Sequence, residues 1–259
     1  MPPVRDPQVT ALIERFRRAR HDPSRAVLEG FHAIKHAIRF DAALEQVCAI
    51  DPDGLLALAQ RIAPDIGRQL SGLVAPIGPA AFAELAPYPP ETGVIAIARR
   101  PALDLAGTFD DRGTAPVVLL ETPAHLGNLG AVVRVAAAAG AAAVLTTGPQ
   151  DPWHPAALRG SAGLHFALPV ARIDRLPTRG GRPLIALHPD GEPLRPGALP
   201  ERALLAFGSE RRGLSPEMLA AADRQLAIPM RQGVSSLNLA SAVAVILYAW
   251  RLADKGQES

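Results

Sequence analysis

Residues 228–250 read IPMRQGVSSLNLASAVAVILYAW. A strand-like end closes at Pro229. A turn then carries Gly233, Ser235, Ser236 and Asn238, and an almost wholly apolar run extends from Leu239 to Trp250. That run is too short to cross a bilayer comfortably. Apolar on every side, it predicts a buried helix. One small polar residue is enough to cap such a helix. Capping does not account for a Gly-Val-Ser-Ser-Leu-Asn run placed directly after a strand. Strand and loop together therefore predict a backbone cradle for a ligand.

Toward the N terminus the same alternation of strand and helix repeats. PVVLLE at 116–121 reads as a buried strand, and GAVVRVAAAAG at 130–140 as a helix ended by Gly140. AAAVLTTG is a strand, WHPAALRGSAG a short helix, and PLIALHP and ALLAFGSE are further strands. SPEMLAAA predicts a helix with Ser215 at its cap and Pro216 at its first position. QLAIPM is the last strand. Alternation of this kind indicates an α/β domain with a parallel sheet and helices on both faces. Residues 1–100 read as a separate, smaller α/β unit. VTALIERFRRARHDPSR is helical and basic, AVLEGFHAIKHAIRF a strand end leading into a helix, DGLLALAQRIAPDI a helix, and TGVIAIARR a strand. Between the two, PALDLAGTFDDRGTAP is rich in Pro, Gly and Asp and reads as a linker, with residues 101–114 as its span and 115–259 as the second domain.

At 48% hydrophobic and 20% charged, the 259 residues can bury a sizeable core, and global disorder is excluded. Of 27 basic residues only Lys35 and Lys255 are lysines. Two readings stand: a GC-rich genome, or a use for the guanidinium fork, which binds oxyanions in pairs. One cysteine, Cys48, excludes an internal disulfide and multi-cysteine metal sites, and predicts a buried thiol. MPPVRDPQVT has no apolar signal core, so a cytoplasmic protein without membrane contact is expected. Residues 1–40 carry eight basic residues against four acidic ones, a surplus of four where the whole chain has +2. Arg15, Arg17, Arg18 and Arg20 there present either a solvated helix face or a surface that tracks phosphates.

Chemistry concentrates in two further places. LGNLGAVVRVAAAAG opens a helix after a strand, where α/β sheets bind anions and nucleotides. At about 100° per residue, Gly127, Gly130 and Arg134 share a face. An arginine among Leu, Ala and Val either snorkels to solvent or pairs with an anion. Asn128 is either a helix cap or a substrate contact. In LLAFGSERRGLSPEML a strand runs into Gly208, where a glycine suits close approach to a flat ring. Glu210 beside it is placed to accept from a ribose or to orient an arginine. A nicotinamide-binding fold needs G-x-G-x-x-G and an acid after the second strand. Here the glycines are spaced G-x-x-G and the next strand ends in threonines, so that rival loses both features.

In this order, GNLGAVVR, FGSERRGLS and IPMRQGVSSLNLASAVAVILY resemble the three motifs of the SpoU or TrmH family of RNA ribose 2′-O-methyltransferases, within the SPOUT superfamily. VLEGFHAIKHAI and YPPETGVIAIARR more weakly resemble an L30e-like RNA substrate-binding domain. The resemblance implies a SPOUT domain with a deep trefoil knot that holds S-adenosylmethionine. It implies cofactor contacts from Gly208, Ile228, Leu237 and Met230. It implies a catalytic group of Asn128, Arg134, Glu210, Ser236 and Asn238. It also implies a homodimer with the site near its two-fold axis, and RNA as partner; the two-domain layout alone places ribosomal RNA ahead of transfer RNA. The chain departs from the family pattern at Val135 and Ala137, where a Thr and an Asp are common, and at Arg211, where a Gly usually follows the Glu.

A guanidinium, with a pKa above about 12, is a poor base. Arg134 is therefore expected to grip the phosphate beside the target ribose and to stabilise the developing alkoxide, while the proton passes to that phosphate or to water. Two alternatives are a knotted enzyme that methylates a base, and an RNA-binding module without activity. The seven histidines show no metal spacing, no metal is expected, and most are read as surface residues. Trp153 and Trp250 are read as core.

Overall fold

The computed structural model describes residues 6–86, 88–110, 113–176 and 178–254. In chain order the helices and strands of its first part are α1 (Pro7–His21), β1 (Arg25–Glu29), α2 (Phe31–Arg39), β2 (Leu44–Ala49), α3 (Pro52–Ile62), α4 (Gly67–Ser71), β3 (Val74–Pro76), α5 (Pro79–Leu85) and β4 (Val94–Arg99). After them come α6 (Leu105–Asp110), β5 (Val117–Leu120), α7 (Leu126–Ala139), β6 (Ala143–Thr146), α8 (Pro155–Gly160), β7 (Val170–Arg172), β8 (Leu184–Pro193), β9 (Leu204–Phe207), α9 (Pro216–Ala221), β10 (Arg224–Ala227) and α10 (Leu239–Asp254). The chain forms two compact units. One comprises residues 1–101 and 153–167, the other residues 102–152 and 168–259.

In the first unit the sheet order is β1-β4-β2-β3. β4 is antiparallel to both its neighbours, and β2 and β3 run parallel. α1 begins where Asp6 accepts from the Gln8 N–H and Pro7 fits the first turn. It buries Ile13, Phe16 and Ala19, one stripe of the helix, against Val27, Phe82, Ile95 and Ile97. Cys48 lies in the same core, and burial pushes its thiol pKa up. The α1 arginines are mostly committed. Arg20 donates to Glu29 and to the Leu85 carbonyl, Arg17 to Glu14, and Arg15 to Gln46 and the Glu45 carbonyl. Arg18 is the one of the four without an ion pair or side-chain hydrogen bond among the described residues. A continuous free cationic face on α1 is therefore not what the structure presents.

The segment at 153–167, expected in the second domain, completes the first unit instead. α8 packs on β1, and Arg159 pairs with the buried Glu29. Gly163 takes a left-handed φ of +79°, and a Cβ there would lie 2.4 Å from the Ala33 carbonyl oxygen. His36 Nδ1 is 2.7 Å from the Ala162 carbonyl oxygen. His165 is fully buried, 2.7 Å from Ser161 Oγ, with its ring tilted against Trp153 at 5.1 Å between centroids. These two of the seven histidines are thus not surface residues but serve packing.

The second unit is built on a six-stranded, wholly parallel sheet in the order β10-β8-β9-β5-β6-β7. Its central strands are buried along their length, as continuous Val, Leu and Ala runs require when both faces are covered. α7 ends at Gly140 in the left-handed conformation, and Ser215 caps α9 ahead of Pro216, both as the sequence predicts. Part of the expected linker is a packed helix. In α6, Phe109 is buried, and the fully buried Arg182 donates to the carbonyls of Thr108, Phe109, Ala115 and Arg202 at 2.9–3.3 Å. At one edge the pairing of β10 with β8 jumps from Gln225–Ala186 to Leu226–Glu192. Residues 187–191 therefore bulge from the ladder. α10 packs against α7 and leaves Ser241, Val245, Tyr248 and Leu252, one stripe at helical spacing, exposed. Within a single chain it is not buried on every side. No helix of the described residues is long and apolar enough to cross a membrane.

Candidate active site

In a parallel α/β sheet the loops beyond the carboxyl ends of the strands form the binding crevice. Here the ends of β8, β9 and β10 enclose a cavity of about 250 Å³. The bulge at Leu187–Pro189 forms one wall and the turn after β9 another. The third comes from Ile228, Met230, Ser235, Ser236 and Leu237, between β10 and α10.

The turn after β9 is tight. Ser209 and Gly213 exchange backbone hydrogen bonds of 3.1 and 3.0 Å, and Arg212 N–H donates to Ser209 Oγ at 3.2 Å. Gly208 is required for this closure. A Cβ at position 208 would lie 2.0 Å from the Gly213 carbonyl carbon and 2.2 Å from Leu214 N. The sequence reading held that position 208 is glycine so that a flat ring can approach. The chain's own backbone makes a close approach there, and Gly208 also lines the cavity.

Glu210, on this turn, is the hub of a polar chain. Its carboxylate accepts from Asn128 Nδ2 at 2.8 Å and from the Ala124 N–H at 2.9 Å. Asn128 Oδ1 accepts from Asn238 Nδ2 at 3.2 Å, and Asn238 Oδ1 accepts from the Ala240 N–H at 2.9 Å. These partners fix both amides. An ionised carboxylate only accepts, so Asn128 must offer it N–H, and a backbone N–H only donates, so Asn238 must offer it oxygen. Each side chain keeps a second amide hydrogen for another acceptor. Burial alone would raise the Glu210 pKa and is the largest single influence on it. The hydrogen bonds from Asn128 and from backbone N–H groups together outweigh it and hold the carboxyl below its ordinary value.

Most of the anticipated residues converge. Gly208, Glu210, Ile228, Met230, Ser236 and Leu237 line the cavity, and Asn128 and Asn238 are tied to Glu210. Asn238, rather than either serine, caps α10. Asn128 does not cap α7; it sits in that helix's first turn and faces Glu210. Glu210 orients this asparagine, not an arginine. Arg134 stands apart. It is exposed, has no ion pair or side-chain hydrogen bond among the described residues, and does not line the cavity. Six residues beyond Asn128 on one helix, it is turned about 240° around the axis. The bulge at 187–189 and Ser209 were not anticipated. The Pro-Asp-Gly at 189–191, a turn signal inside a strand pattern, was the available clue. Among the described residues no group of three or more His, Cys, Asp or Glu is arranged to hold a metal ion.

A family model described as the SpoU rRNA Methylase family matches residues 115–248, slightly more than half of the chain. The chain belongs to the SpoU rRNA methylase family. The match spans the parallel sheet up to most of α10, and with it every residue of the polar chain. Among SpoU relatives, the 23S rRNA (guanosine(2553)-2′-O)-methyltransferase of Bacillus subtilis is 32% identical over 142 residues, which cover 52% of this chain and 57% of that protein. The 23S rRNA (adenosine(1067)-2′-O)-methyltransferase of Streptomyces laurentii is 28% identical, covering 94% of this chain and 92% of its own. The solved structure of a SpoU methyltransferase from Streptomyces viridochromogenes in complex with AdoMet superposes with a TM-score of 0.75 at 25% identity. That match covers 98% of this chain and 99% of the other. The chain spans little more than half the length of the first curated relatives it matches, 52% and 57% for the first two.

Proposed function

We propose that this SpoU-family chain transfers a methyl group from S-adenosylmethionine to a ribose 2′-hydroxyl of RNA in the cytoplasm, with ribosomal RNA as the substrate class. The observation that carries this is the Glu210–Asn128–Asn238 chain set beside a cavity lined by Gly208, Ile228, Met230, Ser236 and Leu237. The relatives named as 23S rRNA 2′-O-methyltransferases and the AdoMet-bound neighbour support the substrate and the cofactor.

The cavity suits the cofactor. Leu226, Ile228, Met230 and Leu237 offer apolar surface to a flat base, and the Ser209, Ser235 and Ser236 hydroxyls offer partners to polar groups. When bound, S-adenosylmethionine supplies a methyl group already activated on a sulfonium. The protein's task is to place the acceptor hydroxyl in line and to stabilise charge as it develops. Asn128 and Asn238, locked by Glu210 and by the Ala240 N–H, present amide hydrogens to oxygens of the acceptor. Glu210, held ionised, acts by orienting Asn128 and is too weak a base to be the proton acceptor. The proton leaves to the RNA phosphate or to water.

Arg134 serves the site as a phosphate grip across a homodimer interface. The exposed stripe of Val245, Tyr248 and Leu252 on α10, which packs against the helix bearing Arg134, supports that assembly. The deep knot expected of the SPOUT fold closes in the stretch between β8 and α10, and the first unit is the L30e-like RNA substrate-binding domain. The test is incubation with methyl-labelled S-adenosylmethionine and either ribosomal or transfer RNA, followed by digestion to nucleosides. Label in a 2′-O-methylnucleoside from ribosomal RNA is expected. Label on a base overturns the ribose assignment, and no label with any RNA overturns the activity.

A further inference from the structure

One arginine lines the cavity, Arg211. It is exposed and has no ion pair or side-chain hydrogen bond among the described residues. Its neighbour Glu210 does not neutralise it, because that carboxylate is turned to Asn128 and the Ala124 N–H. The backbone beneath Arg211 is fixed by the three hydrogen bonds that close the turn between Ser209 and Gly213. A cation mounted on a rigid turn gives up less freedom on binding than one on a loose loop. Arg134, proposed above to grip a phosphate from across the homodimer interface, does not line this cavity within one chain, which leaves a second phosphate contact to Arg211. The position is also one where the family pattern has a glycine, so the charge belongs to this chain.

We propose that Arg211 is a positioning residue that grips a backbone phosphate of the RNA next to the ribose being methylated. The inference rests on the proposed transfer to RNA. A planar guanidinium matches two phosphate oxygens at once, which a compact ammonium cannot do. Arg211 sits at the exposed rim, while the cavity behind it is lined mainly by apolar side chains, hydroxyls and backbone. That placement suits a polyanion arriving from solvent.

The experiment compares the full-length parent with Arg211→Gly, Arg211→Lys and Arg212→Ala. Arg212 shares the turn and is exposed, but does not line the cavity. Cofactor affinity is read by calorimetry, and KM for RNA and kcat across a salt series. Loss of one charged contact should raise KM for RNA by roughly tenfold at low salt. It should also flatten the dependence of log affinity on log salt by about 0.7–0.9 per lost contact. Arg211→Gly should do both, with kcat at saturating RNA and S-adenosylmethionine affinity unchanged. Arg211→Lys should keep the salt slope while losing part of the affinity, and Arg212→Ala should have the smaller effect. An unchanged KM and slope in Arg211→Gly overturns the proposal. So does a loss of cofactor affinity with the slope intact, which would assign Arg211 to the cofactor's carboxylate, or an equal loss in Arg212→Ala. A parent that methylates no RNA is a failure of the functional reading, visible before any variant is compared.

Discussion

Replacing Gly208 by alanine tests whether the turn after β9 is built on backbone contact. The new Cβ would lie 2.0 Å from the Gly213 carbonyl carbon, whereas carbon atoms rest at about 3.5–4.0 Å. One side must therefore move by about 1.5 Å or more. β9 is held between β8 and β5, so the movement falls on the turn. Opening it breaks the two backbone hydrogen bonds between Ser209 and Gly213, each worth about 0.5–1.5 kcal/mol net. Strain of the overpacked site adds about 1–3 kcal/mol. The expected destabilisation is about 2–6 kcal/mol, or a fall of about 1–3 M in the urea midpoint at a slope near 2 kcal/mol per M. Gly213→Ala is the control. Its φ is +67° but no atom lies within 4 Å of its Cβ, so it should cost only the left-handed penalty of about 1–2 kcal/mol. S-adenosylmethionine affinity should fall in Gly208→Ala, because Ser209 and Glu210 ride on the turn. The reasoning is refuted if Gly208→Ala unfolds within about 0.5 kcal/mol of the parent, or later than Gly213→Ala.

Other outcomes follow from named contacts. Arg182→Met should destabilise by about 3 kcal/mol or more, since four carbonyls lose a charged donor; thermal unfolding unchanged from the parent would contradict this. Glu210 has a folded pKa below its unfolded value of about 4.3. Its stabilisation is therefore present above that value and is lost as pH falls through the lower folded pKa. The gap in unfolding midpoint between parent and Glu210→Gln should be full at neutral pH and close in acid; a gap independent of pH down to 3, where carboxylates titrate, would count against the ionised hub. Arg134→Ala should abolish methyl transfer and leave calorimetric cofactor binding intact. Light scattering should give twice the 27.2 kDa of one chain, and Tyr248→Glu on the exposed α10 stripe should return the monomer mass.

The alternation of strands and helices from Val117 onward was legible because a sheet covered on both faces demands continuous apolar runs. Caps at Ser215 and Gly140 were legible because they are local chemistry. What was missed depends on distant partners. The 153–167 segment reads as a helix, but nothing in it names β1 as its neighbour. Arg182 looks like a surface residue until four carbonyls from three separate segments surround it. β2 carries Glu45 and Gln46 in succession, which breaks both the continuous apolar run and the strict alternation that mark a strand. At the site, Gly208 was singled out for close approach, and the backbone of Gly213 and Leu214 packed against it could not be read from the sequence. Asn128, Glu210 and Asn238 could be named from motif and spacing, but the direction of their hydrogen bonds required coordinates.

The excursion at 153–167 has a consequence for synthesis. A ribosome releases a chain from its N terminus, and domains commonly fold as they emerge. This first unit cannot finish that way. Until residue 167 has cleared the tunnel, Glu29 lacks the guanidinium of Arg159, and β1 lacks α8. By then β5, α7 and β6 are already outside and still await the remaining strands of their sheet. The first unit is therefore completed only after β5, α7 and β6 of the second have already emerged unfinished. A gene truncated after the first hundred codons would encode a unit in which Glu29 keeps Arg20 but loses Arg159, and β1 loses the cover of α8.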